Sequence, residues 1–78
     1  IGSYQKKLFI VTDGLIKEKE LKNFLLMYAK NYKKLSVEIN KKDNEMHLTY
    51  LVEGTSDSIN KLVQNLFKED WLKSCKVE

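Results

Sequence analysis

Arginine is absent from this chain. All fourteen cationic residues are lysines, dispersed among eleven acidic residues, and the formal net charge is +3. The planar guanidinium fork is the usual means of reading phosphate and guanine in a bidentate manner, so its absence argues against a dedicated nucleic-acid reader. Proline is also absent, and glycine occurs only at positions 2, 14 and 54. No repeat, low-complexity stretch or internal linker divides the chain. One cysteine, Cys75, cannot form an internal disulfide and fits a reducing, cytoplasmic setting. The longest apolar stretches, Leu8–Val11 and Phe24–Ala29, fall far short of the roughly 18 residues that span a bilayer. No membrane insertion by this segment is expected, and no signal-peptide apolar region is present.

What remains is a small globular composition, with 42% apolar and 32% charged residues in 78. A chain of this length buries roughly 60–65% of its unfolded surface and is marginally stable, by about 4–8 kcal/mol. The first residues, Ile1-Gly2-Ser3, lack an initiating methionine and resemble an expression scar. The expectation is one domain over residues 4–78, cut from a larger protein.

Punctuation and periodicity divide the domain into six elements. Residues 5–12 carry the compact apolar run Leu8-Phe9-Ile10-Val11 of a first strand, broken by Asp13-Gly14. A helix is predicted over about 17–31, with Leu21, Phe24, Leu25, Tyr28 and Tyr32 as its buried stripe. Leu26 and Met27 widen that stripe enough to suggest a second neighbour. Alternation over residues 35–39 predicts a strand facing the core through Leu35, Val37 and Ile39. A polar loop at 41–44 joins it to a strand at 45–53, with Met46, Leu48, Tyr50 and Val52 on one face and His47, Thr49 and Leu51 on the other. Thr55-Ser56-Asp57-Ser58 supplies N-cap candidates for a second helix with Ile59, Leu62, Val63, Leu66 and Phe67 inward. Residues 73–77 suffice for a short fourth strand.

The order β-α-β-β-α-β predicts an α+β, ferredoxin-like sandwich: a four-stranded antiparallel sheet, strands ordered 4-1-3-2, with two helices on one face. The other face is left uncovered. It carries Leu51 with either Phe9 and Val11 or Leu8 and Ile10, and Phe9, Val11 and Leu51 are the interface candidates.

No constellation for catalysis is present. One histidine, His47, and one cysteine, Cys75, are predicted on strands separated by the first strand, roughly 9–10 Å apart. Spacings for structural zinc, a calcium loop or a phosphate-cradling loop are missing. No catalytic residue, metal or cofactor is therefore expected, and the chain reads as a non-enzyme.

Three resemblances bear on function. Leu8-Phe9-Ile10-Val11-Thr12-Asp13 resembles the first-strand motif of RNA-recognition-motif domains, with Phe9 where a base would stack. The third strand, Glu45-Met46-His47-Leu48-Thr49-Tyr50, lacks that family's glycine and outward aromatic pair, so this is the alternative reading. Thr12-Asp13-Gly14-Leu15-Ile16 resembles the turn after the first strand of ACT-type regulatory domains, without the proline usual before that glycine. The ACT resemblance implies a small effector, often an amino acid, bound at a domain interface, with Asp13 and Gly14 as the ligand-binding positions. The pattern of Tyr32–Glu53 is similar to the soluble C-terminal domains of bacterial MgtC-type and related membrane proteins. Together these imply a regulatory, ligand-sensing or self-association domain of a larger bacterial protein, partnered by a second copy or by its parent.

Overall fold

The computed structural model describes residues 2–15 and 17–78. Its elements are β1 (Tyr4–Asp13), α1 (Glu18–Tyr28), β2 (Asn31–Asn40), β3 (Glu45–Gly54), α2 (Ser56–Leu66) and β4 (Leu72–Val77). All strand pairs are antiparallel, and the sheet order is β2-β3-β1-β4. This is the expected ferredoxin-like sandwich, with the two central strands supplying half of the buried core side chains.

On β1 the alternation resolves in favour of Leu8, Ile10 and Thr12, which are buried beneath the helices, while Phe9 and Val11 lie on the open face. Opposite residues of an antiparallel pair share a face. The register Leu8↔Tyr50 and Ile10↔Leu48 therefore sets two apolar pairs against Leu21 and Leu25 of α1 and Ile59, Leu62 and Leu66 of α2. Thr55 fills the N-cap of α2, its Oγ1 accepting the Ser58 N–H at 3.1 Å.

Three expectations are corrected. First, α1 stops at Tyr28, because Ala29 is already extended and the Lys30 N–H donates to the Glu53 carbonyl at 2.8 Å, starting the sheet. Tyr32 thus belongs to β2 and packs on Tyr50 rather than completing the helical stripe. Second, Phe67 is 63% exposed. At about 100° per residue it lies some 80° around from Ile59, at the margin of the buried arc and just past the last helical residue. Third, Leu35, Val37 and Ile39 are 43%, 44% and 54% exposed instead of buried. Val37↔Leu48 and Ile39↔Met46 do put the latter two on the helix side, but none of the described residues covers them there. An eleven-residue helix is about 16 Å long, whereas a ten-residue strand is about 33 Å, so α1 shields only half of the edge strand. The β2–β3 hairpin projects beyond it and gives the molecule its 43 Å long axis. Leu35 is displaced by a bulge between Lys34 and Ser36. Leu26 and Met27 of α1 also remain exposed.

This division predicts a contrast in stability. Leu48→Ala should cost about 2–5 kcal/mol through the cavity it leaves. Ile39→Ala, on the same hairpin and helix side, should cost under about 1 kcal/mol. Urea unfolding of the two variants measures the difference.

Candidate functional site

The β1–α1 turn is built by Thr12, Asp13 and Gly14. Gly14 has φ of +87°, a left-handed conformation that an L side chain adopts only with strain. Buried Thr12 is satisfied because its Oγ1 donates to the Gly14 carbonyl at 2.9 Å. The Asp13 N–H donates to the Trp71 carbonyl and the Gly14 N–H to the Asn44 carbonyl, both at 2.7 Å. The turn is thereby fastened to the loop before β4 and to the β2–β3 hairpin. The Asp13 side chain is exposed and borders a groove of about 450 Å³ shared with Lys17, Glu20, Lys68, Asp70 and Trp71. Glu69 also lines this groove, so four acids stand against two lysines, and Lys17 Nζ already meets Glu20 Oε1 at 3.4 Å.

The open sheet face is the second surface. Phe9↔Thr49, Val11↔His47 and Lys7↔Leu51 are paired positions, so Phe9, Val11 and Leu51 form one half-buried apolar strip. The Lys76 ammonium lies 5.8 Å from the Phe9 ring centre. At one end of this face, Glu45 accepts from Lys73 Nζ at 2.6 Å and lies 3.0 Å from His47 Nε2. The Lys73 hydrogen bond, and then that of His47, hold the Glu45 carboxyl below its ordinary range, and the same contact raises Lys73. Tyr50 faces the helices, so the open face of β3 offers no Phe, Tyr or Trp beside Phe9, and its one ring is His47, held by Glu45.

No protein-family model and no curated protein matches this sequence. Solved structures do match its shape. The ACT domain from GTP pyrophosphokinase of Chlorobium tepidum superposes with a TM-score of 0.73, at 11% identity, over 99% of this chain and 100% of that one. A putative PII-like signaling protein from Thermus thermophilus gives 0.64 at 18% identity, over 100% and 88%. A nitrogen regulatory PII-like protein from Thiomonas intermedia gives 0.61 at 17% identity, over 99% and 90%. The fold is ACT-like.

Within this ACT-like fold, His47 and Cys75 stand on opposite faces with β1 between them: His47 pairs with Val11 and Cys75 with Ile10. Burial pushes the Cys75 thiol up to about 11, leaving it protonated at neutral pH. Among the described residues no cluster of three or more His, Cys, Asp or Glu side chains is placed to hold a metal, and no helix is long and apolar enough to cross a membrane. The surface that the sequence did not disclose is the outer half of β2. Its alternation gave the correct face for Val37 and Ile39, but no sequence signal reports how far a helix reaches along a strand.

Two outcomes follow from the titrating groups. Glu45 binds its proton less readily in the folded chain than in the unfolded one. Its contribution to stability is complete above the ordinary carboxylate range and is lost as the pH falls through the lower folded value. Lys73→Met should therefore move the Glu45 midpoint upward in an NMR titration and flatten the loss of stability on acidification. Cys75 should react with maleimide at neutral pH at least about tenfold more slowly in the folded protein than in urea, as a buried thiol does.

Proposed function

We propose that this domain is a non-catalytic regulatory module of a larger bacterial protein, one that senses a small effector and pairs with a second copy of itself. The observation that carries the reading is the edge strand β2. It presents an unpaired backbone together with Leu35, Val37 and Ile39, each more than two-fifths exposed. Natural sheets blunt such edges with charge, bulges or covering elements. Here the bulge lies at Lys34/Ser36, which leaves Ser36–Asn40 as a regular stretch able to add a strand. A twofold pairing of β2 with its own copy would close the edge and set Val37 and Ile39 beside side chains of the partner strand.

The effector is assigned to the groove beside Asp13 and Gly14. Lys68 there would meet the carboxylate of an amino-acid-like zwitterion, and Asp13, Glu69 and Asp70 its ammonium, with Lys17 and Glu20 already paired at the rim. The open-face strip of Phe9, Val11 and Leu51 is assigned to contact with the parent protein. The pattern of Tyr32–Glu53 favours the cytosolic tail of a membrane protein as that parent. Support for a regulatory role comes from the matching structures, which include a domain of a pyrophosphokinase and two PII-like proteins described as signaling or nitrogen regulatory.

Light scattering behind size exclusion, across serial dilution, tests the pairing. The wild-type chain should run as a dimer at high concentration. The double variant Val37→Lys, Ile39→Lys should run as a monomer with an unchanged circular-dichroism spectrum, since both positions are exposed. A wild-type monomer at every concentration would refute self-association. A dimer that survives the lysines and dissociates with Phe9→Ala would transfer the interface to the open face.

A further inference from the structure

A second groove lies on the other flank of α1, away from the Asp13 turn. It has a volume of about 470 Å³ and is lined by Glu18, Lys19, Lys22, Tyr32, Lys34 and Tyr50. That volume falls within the range of about 300–1,000 Å³ common to small-molecule sites. Its wall is aromatic: the Tyr32 and Tyr50 rings are 6.1 Å apart and tilted by 59°.

The groove holds more donors than the protein satisfies. Tyr50 is only 3% exposed, yet its hydroxyl makes no hydrogen bond among the described residues. Its hydroxyl is not among the fully enclosed unpartnered atoms, so the little surface the residue keeps includes that oxygen. Burial, reinforced by the Glu18 carboxylate, raises the phenol to about 12, and it remains a donor across the physiological range. Lys19 and Lys22 stand three residues apart on one face of α1, and neither has an ion-pair partner among the described residues. Glu18, the one acid of the groove, is engaged with Lys34. Two unpaired ammonium groups and one phenolic O–H thus line one groove, whose single carboxylate has one oxygen engaged by Lys34.

We infer that this groove binds a phosphate monoester carrying a flat or apolar body. The phosphate dianion supplies three acceptor oxygens and two charges, matching Lys19, Lys22 and the Tyr50 hydroxyl, while its organic part rests on the half-buried Tyr32 ring. Lysine serves here as a point charge for phosphate, a role that needs no guanidinium. The Lys34–Glu18 pair frames the site and offsets the carboxylate that would otherwise repel the ligand.

The test is an NMR titration of the full chain with phenyl phosphate at low ionic strength, with inorganic phosphate in a parallel arm. Shifts should concentrate at residues 18–22, 32–34 and 50, and affinity should fall with added salt. Tyr50→Phe keeps the ring and should weaken phenyl phosphate by about tenfold, the usual worth of a hydrogen bond to a charged group. Lys19→Ala with Lys22→Ala should weaken it further. Lys61→Ala, on α2 and paired with Asp57, should leave it unchanged. Equal binding of inorganic and phenyl phosphate would overturn the ester assignment. Shifts spread over all the lysines, or a Tyr50→Phe variant that binds as well as the wild type, would overturn the site.

Discussion

A mismatch of lengths governs this molecule. Both helices have eleven residues and three of the four strands have ten, so the helical layer is about half as long as the sheet beneath it. The core must therefore sit where the helices are. Leu8, Ile10, Leu48, Tyr50 and Val52 meet Leu21, Leu25, Ile59, Leu62 and Leu66 in that zone. Beyond it β3 stays covered because it is central, and Met46 is still buried. Edge strand β2 has no such neighbour, and its outer apolar residues emerge into solvent. The exposed hairpin is a geometric consequence of the core's position and not a separate module.

The same mismatch bears on the polar contacts at the hairpin end. Past the helices there is little apolar surface to hold the loops together, and hydrogen bonds take over. Asp13 and Gly14 donate to Trp71 and Asn44, and Lys73 reaches Glu45 across the sheet. Asn44 itself has φ of 54°, a conformation that asparagine tolerates better than most residues. Three segments distant in sequence are thus joined through a few backbone groups.

Element order and the buried face of β3 were legible in the sequence because each rests on a local signal: a period of two, a period near 3.6, or a glycine that permits positive φ. The Asp13-Gly14 turn was legible for the same reason. Sheet order followed from the element order through the handedness of crossovers. What escaped depended on how elements meet. Leu35, Val37 and Ile39 alternate as a half-buried strand should, but burial depends on the reach of α1, which periodicity does not encode. Tyr32 continued the helical spacing of Leu21, Leu25 and Tyr28, and only the Lys30–Glu53 hydrogen bond shows that the chain had already entered the sheet. The choice between Phe9 with Val11 and Leu8 with Ile10 was open because a four-residue apolar run has no period of its own.

These placements bear on how a ligand could act. A molecule seated beside Asp13 touches a turn whose backbone is fastened to both the hairpin and the loop before β4. A change of position there cannot stay local, because the Gly14–Asn44 and Asp13–Trp71 contacts would have to follow or break. The hairpin that would follow is the one bearing the exposed edge of β2. The turn and the exposed edge therefore lie at the same end of the sheet, since Asp13 pairs with Glu45 and Glu45 with Asn40 across the hairpin that Leu48 and Tyr50 anchor under the helices. A molecule bound at the turn would need no relay of side chains to reach the edge, since the paired strands connect the two.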